Sequence, residues 1–152
     1  MAHIHEKIDF TVSVFIVHEN KVLLRKHEKY DIWLGVGGHI ELDEDPNEAA
    51  VREVKEEVGL DIVLWNGNQQ YTEMAGQHKE LIPPVSLNRH HISPAHEHID
   101  MLYFAGAASN TVIPEHADDE WKWLTMSELD SADLIPDVRF YAKLALDTLE
   151  EK

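Results

Sequence analysis

Glu53, Glu56 and Glu57 stand at i, i+3 and i+4 in the run Arg52-Glu-Val-Lys-Glu-Glu-Val-Gly-Leu60, a spacing that gathers three carboxylates on one helix face. Like charges crowded in this way destabilise a helix unless something neutralises them, and a hard divalent ion with oxygen ligands is the natural counter-charge. Upstream, Gly38-His-Ile-Glu-Leu-Asp-Glu44 supplies a glycine that permits the chain to fold back closely and a further acid, Glu44, before the helix. The chemistry this suits is attack of water on an anionic, oxygen-rich phosphorus, because divalent ions neutralise phosphate oxygens and make hydroxide available near neutral pH. Mg²⁺ keeps several waters and takes few protein carboxylates, so three acids can hold one ion or share more than one with a substrate.

An isolated Arg-Glu-x-x-Glu-Glu is ordinarily a solvated helix face laced by i, i+4 ion pairs. The longer pattern weighs against that reading. With Gly38, Glu44, Arg52, the three acids and the closing Gly59-Leu60 at their spacing, the segment resembles the signature box of Nudix hydrolases. The resemblance is tight over residues 38–60. It is looser over the upstream apolar runs, the Trp33 stretch and Trp121-Lys-Trp-Leu-Thr. One departure is Val36, where many members carry proline before the paired glycines; this alters loop rigidity and leaves the acids intact.

The resemblance implies an α/β fold, specifically an α/β/α sandwich on a mixed α+β sheet, as one domain over residues 1–152. It implies hydrolysis of a diphosphate linkage in a nucleoside diphosphate joined to another moiety. It also implies Mg²⁺ or Mn²⁺ as cofactor, held by Glu53, Glu56, Glu57 and the backbone carbonyl of Gly37. Arg52 would hold a box glutamate by a charge-assisted hydrogen bond, and Glu44 would close that network from the loop. A homodimer is compatible with the resemblance, and no interface is marked. The alternative from another class is a non-catalytic nucleotide or metabolite sensor on the same fold, against which the intact acid trio speaks. Diphosphate isomerases of this fold use a cysteine, which the chain lacks, and 152 residues leave no room for an added DNA-binding domain.

Outside the box the assignments are broader. The general base is Glu53 or a distal acid, Glu97 or a member of Asp118-Asp119-Glu120, with solvated surface the plainer reading of the distal ones. Arg25, Arg89, His98 and Asp100 are candidates for substrate contact. His96, Glu97, His98 and Asp100 also suggest a metal set, but His-x-Asp on a strand lacks a matching second pair, so substrate contact or plain hydrogen bonding is preferred. Trp33, Trp65, Tyr71 and Tyr103 offer base-stacking surfaces and read more simply as core. No extra signature of a substrate subfamily is found.

The elements that must position these groups follow from periodicity and caps. Residues 10–17 and 21–25 are apolar runs across a turn at His18-Glu-Asn20, which predicts a β-hairpin, and residues 33–40 are extended. Asp45-Pro46-Asn47-Glu48 is a complete helix start and Gly59 the stop, with Val51, Val54 and Val58 expected as the packing stripe opposite the acids. Residues 61–65, 98–105 and 121–124 read as strands, Thr125 to Glu128 as a capping box, and Ile135-Pro136-Asp137 as the entry to a last helix reaching Leu149. Residues 74–97, bearing Pro83, Pro84 and Pro94, read as a long loop or lid, and the segment 74–100 as the specificity determinant.

Composition bounds the rest. Hydrophobic residues at 43% and charged residues at 28% describe an ordinary globular chain. A net charge of -16, from 29 acidic and 13 basic residues, repels polynucleotides and anionic membranes and makes a metal bridge to any phosphorylated substrate more necessary. No cysteine is present, which excludes disulfides and thiolate sites. No apolar run reaches membrane-spanning length and no basic-then-apolar leader opens the chain, so a small-molecule enzyme of the cytoplasm is expected.

Overall fold

The computed structural model describes residues 6–27, 29–71, 76 and 78–150. Strands β1 (Ile8–His18) and β2 (Lys21–His27) form the expected hairpin. Its turn residues Glu19 and Asn20 both take positive φ, 47° and 60°, the left-handed pair that matches strand twist in a two-residue loop. β3 (Ile32–Leu34) pairs with β2, and β4 (Val36–His39) pairs antiparallel with β1. The remaining strands are β5 (Ile62–Leu64), β6 (Ser86–Ser93), β7 (His96–Ala107) and β8 (Trp121–Leu124). The sheet runs β3-β2-β1-β7-β5, with β4, β6 and β8 joined to β1, β7 and β2 respectively. β1 and β7 are parallel at its centre, and the other pairs are antiparallel.

Alternation along the two central strands divides the core. Val12, Val14, Ile16, Tyr103 and Ala105 face helix α1 (Pro46–Val58), where they meet Ala50, Val54 and Val58. Phe15, Val17, Leu102 and Phe104 face the other side and pack with Leu129 of α2 (Met126–Ser131) and with Val138, Ala142 and Leu146 of α3 (Pro136–Leu149). This is a mixed α+β sandwich, the fold class expected. Among the described residues no helix is long and apolar enough to cross a membrane.

Several local expectations need correction. Val51 is 44% exposed, and the packing stripe is Ala50, Val54 and Val58 with Ala49 beside it. Steps of four keep one azimuth, whereas Val51 lies three before Val54 and is rotated toward solvent. Small alanines at the contact allow α1 to lie close to the sheet. That closeness buries Glu53 (6% exposed), which was expected on the open side. The expected loop over residues 74–97 begins at Met74, outside the described residues, and its second half is strand β6 hairpinned to β7. β6 is exposed almost throughout, so it carries no hydrophobic alternation to announce it. Of the four aromatic candidates only Tyr103 is core; Trp33 is half-buried, while Trp65 and Tyr71 are 37% and 56% exposed.

Candidate active site

Helix α1 is fixed at both ends by its own sequence. Asp45 accepts from the Glu48 amide at 2.8 Å while the Asp45 amide donates to the Glu48 carboxylate at 3.1 Å, and Pro46 occupies the first turn. Gly59 closes the helix in the left-handed region (φ 71°), its N–H donating to the Lys55 carbonyl at 3.1 Å. Two further carbonyls at this end, of Glu57 and Val58, accept from the amides of Glu115 (3.1 Å) and Ile113 (2.8 Å), which brings the segment before β8 against the acids.

Glu53 and Glu56 converge on Arg52, and Glu57, one helical turn after Glu53, faces Arg25. Arg52 Nη1 donates to Glu53 Oε1 at 3.0 Å and to Glu56 Oε2 at 3.1 Å. Its Nε and Nη2 grip Glu44 in a two-pronged contact at 2.9 and 2.6 Å, and Nη2 also donates to the His39 carbonyl at 3.0 Å. One guanidinium thereby ties the helix, the loop before it and the end of β4 together. The contact with Glu44 is the main reason the Arg52 pKa is raised and the Glu44 carboxyl is held below its usual range. Gly38 lies against the same cluster: a Cβ there would stand 2.4 Å from Glu53 Oε1. The carboxylate occupies the space a side chain would take. Gly37 lies opposite Ser13 in the β1–β4 pairing, beside this contact.

Burial differs sharply among the three acids. The Glu56 side chain is 55% exposed, the Glu57 side chain 14% and the Glu53 side chain 8%. Burial pushes the Glu57 carboxyl up to about 8, against the pull of Arg25, and pushes Glu53 upward against the pull of Arg52. The neighbouring Glu53 carboxyl adds to the upward push on Glu57. An oxygen-rich set, desolvated and short of positive charge, is the donor chemistry of a hard divalent cation. Glu53, Glu56 and Glu57 therefore fit such an ion.

Arg25 comes to this cluster from β2. Its Nη1 lies 3.4 Å from Glu57 and its Nη2 3.3 Å from Asp119, whose side chain is 4% exposed. Of the three consecutive acids offered as distal candidates, Asp119 is the one that reaches the cluster, whereas Glu120 pairs with Lys26 at 3.4 Å and is 62% exposed. Nothing in the spacing of three consecutive acids distinguishes them; the Lys26 amide bonding to the Glu120 carbonyl sets which one turns inward.

The other candidates lie elsewhere. Arg89 and Glu97 grip each other across β6 and β7 at 2.6 and 2.7 Å, which holds the Glu97 carboxyl below its usual range, a shift opposite to that of a poised base. Asp100 is buried and accepts from Thr11 at 2.8 Å and Ser13 at 3.0 Å; burial raises its pKa and these two hydroxyls oppose the rise. His98 shares the strand face of Asp100 and Leu102, which looks away from α1.

A family model described as the NUDIX domain matches residues 7–144. The chain belongs to the Nudix hydrolase family. A solved Nudix hydrolase from Clostridium perfringens is similar at 37% identity and TM-score 0.81, covering 93% of this chain and 98% of that one. Among curated relatives, the m7GpppN-mRNA hydrolase NUDT17 of Xenopus laevis is 35% identical over 97 residues, 56% of this chain and 30% of that protein. The dihydroneopterin triphosphate diphosphatase of Haemophilus influenzae is 44% identical over 52 residues, 34% of this chain and 33% of that protein. The matched part thus spans about a third of each of these two Nudix relatives' length.

Proposed function

We propose that this Nudix chain hydrolyses a diphosphate linkage in a nucleoside diphosphate joined to another moiety, with water attacking phosphorus and two phosphorylated fragments as products. The observation that carries the reading is the grouping of Glu53 and Glu56 on Arg52, with the buried Glu57 beside them facing Arg25. Mg²⁺ or Mn²⁺, held by the three glutamates with the Gly37 carbonyl, supplies neutralisation of phosphate oxygens and a lowered pKa for water.

The side chains supply the rest. Arg52 fixes the rotamers of Glu53 and Glu56, so the acids are presented without a search through side-chain conformations. Burial holds the metal-free Glu57 carboxyl up to about 8, so a divalent ion taken up there would displace its proton. Arg25 presents a guanidinium beside Glu57 to meet substrate phosphate. The segment over residues 78–85 bears on specificity: Asn47 exchanges two hydrogen bonds with the Ile82 backbone, at 2.8 and 2.9 Å, which docks that segment on the start of α1.

The test is product analysis on a panel of nucleoside triphosphates, dinucleoside polyphosphates and nucleotide sugars, with and without Mg²⁺. The panel includes a capped dinucleotide and dihydroneopterin triphosphate, for which the two curated relatives are named. Metal-dependent release of two phosphorylated fragments is expected on at least one class. Diphosphate binding without turnover on any would overturn catalysis in favour of a sensor.

A further inference from the structure

The sheet face turned away from α1 carries a second cluster of ligating groups at the same end of the molecule. Asp9 on β1, His39 on β4 and His98 on β7 each present one ligand atom, and these atoms all lie within 4.8 Å of one another. Register explains the meeting. Asp9 lies directly opposite His98 in the parallel β1–β7 pairing, and His39 lies opposite Thr11, two residues along β1 on the same face as Asp9. His39 Nε2 stands 3.4 Å from Asp9 Oδ2, and the His39 and His98 rings meet edge to face at 5.0 Å between centroids. His96 approaches from the same strand as His98, with Nε2 3.8 Å from Asp9 Oδ2.

We propose that Asp9, His39 and His98 bind one zinc-class divalent transition-metal ion, with His96 Nε2 as a fourth donor, on the sheet face opposite the Glu53–Glu57 cluster. Ligand bonds of about 2.0–2.1 Å in a tetrahedral site put donor atoms roughly 3.3 Å apart, so the cluster needs only small side-chain movements to close on an ion. The tautomer of His96 is set for it. Its Nδ1 lies 2.8 Å from the Glu6 carbonyl, which can only accept, so Nδ1 carries the proton and Nε2 the lone pair. A ligating histidine whose other ring nitrogen donates to a backbone carbonyl is the usual outer-shell arrangement of metal sites.

Ligand chemistry selects the ion. Imidazoles with one carboxylate favour Zn²⁺ and its first-row neighbours over Mg²⁺, which takes oxygen and water. The Asp9 side chain is 2% exposed, and a buried carboxylate among imidazoles is stabilised by a cation placed between them. Three strands supply the donors, so an ion here staples β1, β4 and β7. His39 directly follows the paired glycines and its carbonyl accepts from Arg52, so the staple stiffens the backbone on which the acid cluster leans.

Chelator-stripped protein is titrated with Zn²⁺ and Co²⁺ under excess Mg²⁺, with metal content, Co²⁺ visible absorption and melting temperature as readouts. One equivalent at micromolar affinity or tighter is expected, with tetrahedral Co²⁺ absorption and a higher melting temperature. The His39→Ala/His98→Ala variant loses that equivalent, weakening binding beyond the ~10–100-fold that outer-shell changes cost, while the Glu56→Gln/Glu57→Gln variant keeps it. If the double histidine variant does not fold by circular dichroism, Asp9→Asn takes its place with the same expectation. Absence of a stoichiometric equivalent in the wild type, or its survival in the histidine or Asp9 variant, overturns the site.

Discussion

Two arginine–glutamate groupings of this molecule use the same residue types and behave oppositely. On α1, Arg52 and Arg25 serve Glu44, Glu53, Glu56 and Glu57, and burial drives Glu57 up to about 8. On the β6–β7 hairpin, Arg89 and Glu97 form a closed pair in which Arg89 is 52% exposed, and the Glu97 carboxyl is pulled down by its partner. The first group has more acids than cations inside a partly desolvated space; in the second an exposed arginine covers a single glutamate one to one. Charge surplus with burial creates a demand for a cation and a proton held near neutrality, whereas one-to-one pairing creates neither.

Substitutions test that contrast. Glu57→Gln is expected to have the largest effect, lowering kcat by about 10²–10⁴-fold on whichever diphosphate substrate the panel identifies, as loss of a carboxylate that would hold the water-activating ion does. A steady-state assay at saturating Mg²⁺ checks it, and retention of most activity would remove Glu57 from the proposed chemistry. Arg52→Ala breaks the two-pronged grip on Glu44 and frees Glu53 and Glu56. A stability loss of about 1.5–3 kcal/mol is expected from chemical denaturation, accompanied by a higher Mg²⁺ requirement.

The pH dependence of stability sharpens the comparison further. Glu57 has a folded pKa near 8 against an ordinary 4.5, so between these values the native state holds a proton that the unfolded chain releases. In the absence of divalent ions, that contribution to stability is full below about pH 4.5 and is lost as pH rises toward about 8. Melting curves across this window should show the decline in wild type and a flatter profile in Glu57→Gln. Added Mg²⁺ should raise the melting temperature more at pH 8 than at pH 6, because the ion and the proton compete for the same carboxyls. An equal Mg²⁺ increment at both would contradict this.

A smaller effect is expected at Gly38, where Ala places a Cβ onto the Glu53 carboxylate. The carboxylate is the movable partner, so Gly38→Ala should weaken Mg²⁺ dependence and turnover while the fold survives, read by activity against metal concentration beside circular dichroism. The smallest effect belongs to the Arg89–Glu97 pair: Arg89→Ala is expected to leave stability nearly unchanged and to change kcat/KM less than about twofold. A large rise in KM there would instead make Arg89 a substrate contact.

Much of the fold is legible in the sequence, and particular residues show why. Asp45, Pro46, Glu48 and Gly59 fix both ends of α1 through local hydrogen bonds that depend on neighbours within one turn. Thr125 and Glu128 do the same for α2, and Glu19-Asn20 for the first hairpin. Strand β6 was not legible, because a strand exposed on nearly every residue shows no apolar period and is placed by its ladder to β7. Asp119 was not legible either, since its inward turn is set by pairing with a strand about a hundred residues earlier.

By itself the sequence determined the elements, the caps and the grouping of Glu53, Glu56 and Glu57, because helix geometry is a short-range rule that any three residues at that spacing obey. Only the tertiary structure decided which of those acids lose water, that Arg25 and Asp119 join them, and that Asp9, His39 and His98 meet on the opposite face. Desolvation and cross-strand register depend on partners far away along the chain, and no local pattern of residue types carries that information.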